Sequence, residues 1–167
     1  MKYRSDKKGN QISQLGYGCM RFSRKAGAVD LENTEQEILL AIENGVNYFD
    51  TAWGYHNGHS ELTAGKFLSR YPRESYYLAS KFPGYDNSNM PKVKEIFEKQ
   101  LEKCQTTYFD FYLFHNVCEM NVDAYLDPKY GIFDYLMEQK KNGRIKHLGF
   151  SAHAEMPGIK RFLDAYG

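Results

Sequence analysis

The 167-residue sequence predicts an α/β fold built on a parallel sheet. Three observations predict it. Five short apolar runs recur along the chain, each followed by a segment of helical period. The runs are almost continuously apolar, as strands covered on both faces are. Hydrophobic residues make up 42%, enough for a sizeable core, and the 16% of aromatics includes 14 Tyr and 11 Phe.

The elements follow in order. Residues 1–14 read as a hairpin, because Tyr3 and Ile12 flank the polar turn Asp6-Lys7-Lys8-Gly9-Asn10. The first run is Leu15-Gly16-Tyr17-Gly18. Its helix is expected to open on a capping box, Thr34 with Glu37, and to close at Gly45. The second run is Val46–Asp50, with a helix from Ser60-Glu61 carrying Leu62, Phe67 and Leu68. The third is Tyr76–Lys81. Its helix follows Pro91 and shows Val93, Ile96, Phe97, Leu101 and Cys104 on one stripe. The fourth is Phe111–His115, with a helix holding Phe133, Leu136 and Met137 and ending at Gly143. The fifth is Ile145–Ser151, with a helix from Pro157 carrying Ile159, Phe162, Leu163 and Tyr166.

Two architectures fit this pattern: a doubly wound open sheet and a (β/α)₈ barrel. The barrel takes about 250 residues, so five units would fill only part of it. The pattern alone favours the open sheet. That sheet lacks its phosphate-binding loop, however. Gly16-Tyr17-Gly18 has no third glycine before a helix, and Arg21–Gly27 carries cations without the glycine pattern.

Lys and Arg total 22 and Asp and Glu 21, a net charge of +1. This excludes the basic footprint of nucleic-acid binding. No run approaches the roughly 18 apolar residues of a membrane span, and no apolar signal region follows Met1. A soluble, cytoplasmic protein is expected. Cys19, Cys104 and Cys118 are too few and too far apart for a disulfide framework or a zinc site, so no metal is expected.

Three consecutive runs end in ionisable residues: Asp50, Lys81 and His115. In parallel α/β folds the carboxyl ends of the strands hold the site. The loop after Asp50, Thr51–Glu61, is rich in glycine and aromatics and places Tyr55 close behind the strand.

These residues carry a resemblance. Val46-Asn47-Tyr48-Phe49-Asp50-Thr51-Ala52 with Gly54-Tyr55 resembles the second-strand signature of the aldo-keto reductases. Leu78-Ala79-Ser80-Lys81 and Asp110–His115 match the family's lysine and histidine segments. Leu15–Arg21, Gly143-Arg144-Ile145 and Leu148–Ser151 match in the same order. Tyr55–Glu61 and Gly149–His153 look like the bacterial branch whose full chains carry a ferredoxin-like iron–sulfur tail. No cysteine cluster for such a tail stands in this sequence.

The resemblance replaces the open sheet by the TIM barrel. It implies that residues 1–167 are the N-terminal part of one, with a hairpin over 1–14 and about five βα units over 15–167. It implies reduction of aldehydes or ketones with NADPH, with Tyr55 as proton donor, Lys81 as the cation beside it, Asp50 as partner of Lys81, and His115 orienting the carbonyl. It also implies cofactor contacts from Gly18, Cys19, Met20, Asp50 and Ser151. Ala152 stands where the family usually has Asn, and His153 is a candidate substitute. Loops that would grip the cofactor's phosphates lie past Gly167. The open first and fifth strands lead to an expectation of self-association. The competing reading is a non-catalytic interaction or regulatory module.

Overall fold

The computed structural model describes residues 1–167, which form two compact units: Met1–Ala79 with Glu102–Thr106, and Ser80–Leu101 with Thr107–Gly167.

The first unit opens with β1 (Tyr3–Ser5) and β2 (Gln11–Ser13), an antiparallel pair with Arg4 opposite Ile12. Asp6 holds the turn by accepting the amides of Lys8 and Asn10 at 2.8 and 2.9 Å. Strand β3 is short (Tyr17–Gly18). A second hairpin follows, β4 (Arg24–Lys25) and β5 (Ala28–Val29). Ala26 and Gly27 between them both have positive φ, the two-residue turn that matches strand twist. No sequence signal marks this hairpin, because its turn residue Ala26 is not a usual left-handed residue.

Helix α1 (Leu31–Glu43) corrects the expected capping box. Asp30 is the cap, accepting the Asn33 amide at 3.2 Å. Thr34 lies buried inside the first turn and its hydroxyl has no hydrogen-bond partner. An acidic cap one turn earlier supersedes the Thr-x-x-Glu pattern. At the other end Gly45 takes φ +83°. Strand β6 (Tyr48–Asp50), helix α2 (Ser60–Leu68) and the start of strand β7 (Tyr77–Phe82), as far as Ala79, complete this run of elements. Gly65 of α2 is required by close approach: a Cβ there would stand 2.3 Å from the Lys103 carbonyl oxygen.

The second unit takes most of α3 (Val93–Lys103), then β8 (Phe109–Val117), the short α4 (Val122–Leu126), α5 (Ile132–Lys141), β9 (Ile145–Ala152) and α6 (Met156–Tyr166). Its core is aromatic. Phe97 meets Tyr112 edge-on at 5.1 Å, Phe114 meets Phe162 at 5.2 Å, and Phe133 stacks on Tyr166 at 4.1 Å. Gly84 lies so close to the Tyr125 ring that a Cβ would meet it at 2.3 Å.

The sheet order is β3-β6-β7-β8-β9. In the first unit β3 pairs parallel with β6 (Gly18 opposite Asp50) and β6 with β7 (Asp50 opposite Ala79). In the second, β8 pairs parallel with β9 (Phe114 opposite Phe150). No helix is long and apolar enough to cross a membrane.

Candidate active site

In the first unit, Asp50 is the last residue of β6. The chain then leaves the sheet through a loop locked at its base. Thr51 Oγ1 donates to Ser60 Oγ at 2.9 Å, and the Ser60 hydroxyl donates to the Cys19 carbonyl at 2.8 Å. Thr51, Ser60 and Cys19 are fully buried. Tyr55, half-buried, opens a tight turn, Tyr55–Gly58. His56, Asn57 and Gly58 have φ of +51°, +55° and +86°, three successive left-handed residues. Such backbone costs about 1–3 kcal/mol at each non-glycine position.

Two tethers hold this turn. The Phe22 amide donates to His56 Nε2 at 3.1 Å, and the Phe22 ring stacks on the imidazole at 5.3 Å. That bond needs an unprotonated Nε2. Burial, and then the charge of Arg24, hold the His56 pKa below its ordinary value. On the other side Lys103 Nζ donates to the Gly58 carbonyl at 3.1 Å, lies 3.4 Å from the Glu61 carboxylate and sits 4.1 Å over the Trp53 ring. The Glu61 side chain has no exposed surface. Its negative charge also helps burial to push the Cys104 thiol well up.

The segment Gly18–Met20 is held from the helix side. Glu37 of α1 accepts the Tyr17 and Ser23 hydroxyls, both at 2.8 Å, and the Asn33 amide at 2.6 Å. Burial and this carboxylate raise the Tyr17 phenol far above its ordinary range. Gly18 faces open space, and Met20 is 55% exposed. Cys19 is fully buried, and its carbonyl accepts the Ser60 hydroxyl.

In the second unit, Lys81 is buried, 5% exposed. Strand β7 runs one residue past it, and β8 two residues past His115, so against expectation neither residue closes its strand. The Gln100 amide donates to Ser80 Oγ and to the Lys81 carbonyl, both at 3.0 Å, and its oxygen accepts the Tyr112 hydroxyl at 2.6 Å. The Tyr125 hydroxyl donates to the His115 carbonyl at 2.9 Å. The His115 ring meets Tyr85 edge-on at 5.1 Å. Burial, then the charges of Lys81 and His153, lower the His115 pKa to about 4. The imidazole is therefore neutral at pH 7 and able to donate one hydrogen bond.

Between Phe114 and Val117, across His115 and Asn116, the β8–β9 register shifts. Asn116 takes φ +59° and its amide donates to Ser151 Oγ at 2.8 Å. That leaves the Ser151 hydroxyl hydrogen for another acceptor. Asn121 fastens the turn by donating to the Asn116 carbonyl and accepting from the Cys118 amide, each at 2.9 Å. The His153 side chain is exposed.

The first unit thus groups Gly18, Asp50 and Tyr55. The second groups Lys81, His115 and Ser151. Sequence reasoning missed Lys103, Glu61, Gln100, Asn121 and Tyr125, which position these residues. A lone polar residue on a helix gives no signal of what it will reach.

The family profile described as aldo/keto reductase matches residues 14–161. The chain belongs to the aldo/keto reductase family. It is similar to a probable aldo-keto reductase 1 from Glycine max, 30% identical over 155 residues, covering 86% of this chain and 42% of that one. It is 27% identical over 176 residues to the NADH-specific methylglyoxal reductase of Escherichia coli, covering 93% and 52%. An aldo-keto reductase from Bacillus halodurans in its holo form superposes with a TM-score of 0.79 at 27% identity, covering 100% of this chain and 55% of that one. The chain thus spans about half the length of these family members. Its neighbours have the reductase TIM barrel, and its five parallel strands correspond to part of it.

Proposed function

We propose that this chain serves NADPH-dependent reduction of a small aldehyde or ketone to an alcohol, in the cytoplasm. One observation carries the reading. Within a family match over residues 14–161, Asp50, Lys81 and His115 stand toward the carboxyl ends of three successive strands, with Tyr55 in the turn after the first. Bound NADPH supplies the hydride to the carbonyl carbon. Tyr55 gives its phenolic proton to the oxygen that becomes the alcohol. Lys81 supplies positive charge that stabilises the phenolate left behind, and Asp50 supplies the counter-charge. Neutral His115 donates a hydrogen bond to the same oxygen, a contribution of about 2.7–4 kcal/mol at the transition state.

The residues fit the cofactor. Gly18 leaves open space, Met20 is exposed, and the Ser151 hydroxyl keeps a hydrogen to donate to a carboxamide. The E. coli relative is named NADH-specific, so both nicotinamides belong in the test. NADPH and NADH are titrated into the purified chain while the emission of Trp53, the only tryptophan, is followed. Saturable quenching at about micromolar to millimolar NADPH is expected. Oxidation of bound NADPH by an aldehyde should fall about 10²–10⁴-fold in Tyr55→Phe. A folded chain that binds neither nucleotide would overturn the assignment.

A second reading, an interaction module, is favoured by one feature. A hollow of about 450 Å³ in the second unit is lined by Phe133, Leu148, Phe150, Leu163 and Tyr166, beside the end strand β9. Concentration-dependent sedimentation would reveal self-association through it.

A further inference from the structure

The turn that carries Tyr55 shares a second, open hollow with the cationic segment after β3. This hollow is about 530 Å³ and lies wholly within the first unit. Arg21, Arg24, Gly54, His56 and Asn57 line it, over Met20 and Phe22. Two observations single it out. Neither guanidinium has an ion pair or a side-chain hydrogen bond, and the charge of Arg24 disfavours protonation of His56. The nearby carboxylate of Glu37 is already taken by Tyr17, Ser23 and Asn33. Independently, His56 and Asn57 line the hollow from a left-handed backbone that neither residue adopts without strain. The Phe22 amide bond and ring stack hold His56 in that position. The result is uncompensated positive charge beside the turn that carries the proposed proton donor.

We infer that this hollow is an anion subsite, and that the carbonyl substrate carries a carboxylate or phosphate group which Arg21 and Arg24 bind while Asn57 donates from the turn. The inference rests on the reductase reading for the word substrate, but not for the binding itself. Guanidinium forks match the two oxygens of such groups, which a neutral aldehyde of the same length does not offer.

The test is calorimetric titration of the full chain with succinate semialdehyde, with pentanal as the neutral counterpart, and with inorganic phosphate. The expected result is about ten- to a hundredfold tighter binding of the carboxylated aldehyde than of pentanal. That preference should vanish in Arg21→Gln/Arg24→Gln and survive in Lys25→Gln, which alters the same hairpin outside the hollow. Tighter binding of phosphate than of the carboxylated aldehyde, lost in the same double variant, assigns the subsite to phosphate-bearing substrates. Equal binding of both aldehydes together with no phosphate binding overturns the proposal. So does an equal loss of preference in Lys25→Gln, which would show a diffuse field rather than a site. Thermal unfolding followed by circular dichroism verifies that each variant is folded. Should Tyr55→Phe and the wild type both leave NADPH unoxidised while the anion preference persists, the reductase reading fails and the subsite stands. Turnover without anion preference overturns the subsite and leaves the reductase reading standing.

Discussion

The turn after β6 and the distal part of β8 each present a proposed catalytic group, and they are held by different means. Around Tyr55 the anchors are polar and ionic: Thr51–Ser60–Cys19 beneath, Lys103 with Glu61 and Trp53 on one side, His56 with Phe22 on the other. Around His115 the backbone is caught by Tyr125 and Asn121, and the packing behind is aromatic, with Phe114 and Phe162 in the lead. Polar anchors are directional and demand complete sets of partners. Aromatic packing is set by volume and tolerates small changes of angle. The first arrangement suits a backbone bent into three left-handed residues. The second suits a strand with a single irregularity at Asn116, where a few backbone bonds and burial suffice.

The sharpest way to break this contrast is to remove one member of each set. Lys103→Met leaves the Glu61 carboxylate buried without this cation, so a loss of about 3–5 kcal/mol is expected in urea denaturation, with altered Trp53 emission. Adding Glu61→Gln should restore much of it. Phe162→Ala should also cost about 3–5 kcal/mol, through an enlarged apolar cavity, but with Trp53 emission unchanged. If both variants shift that emission alike, the two regions are not held separately.

Ser60→Ala removes the bridge between the Thr51 hydroxyl and the Cys19 carbonyl, for an expected loss of about 1–3 kcal/mol. The pH dependence should be set by the histidines. Unfolded His115 takes up its proton near pH 6.5, but in the folded chain only near 4. The unfolded state therefore holds more protons between these values. Stability is complete above 6.5 and drains as pH falls toward 4. His56 acts in the same direction. His115→Asn should flatten the fall of the urea midpoint between pH 6.5 and 4, and the His115 ring proton should titrate near 4 by NMR. Smallest of all, Lys160→Ala removes an exposed pair with Asp164 and should change stability by less than about 0.5 kcal/mol.

Strand positions were legible because buried parallel strands are written as continuous apolar runs; Val46–Asp50 and Tyr76–Lys81 needed nothing more. Helix α3 was legible from its stripe and Pro91. The β4–β5 hairpin was not, since Ala26 shows no turn preference, and neither was α4, five residues too short to have a period. The start of α1 was misplaced because two capping patterns overlap, and only tertiary packing of Thr34 decides between them. For the site, motif order nominates Asp50, Tyr55, Lys81 and His115. The residues that hold them were not, because Lys103 acts on Trp53 and Gly58 across a sequence distance that no local pattern spans.

The three cysteines lend the molecule a clock. Cys19 and Cys104 lie in the first unit at 0% and 1% exposure, and Cys118 in the second at 6%. None can meet a thiol reagent until its surroundings open. Labelling of Cys118 times the opening of the turn beside His115, while labelling of Cys19 times the release of the Ser60 bond under Tyr55. Mass spectrometry of the labelled peptides would therefore give each half of the proposed site its own opening rate from a single reaction.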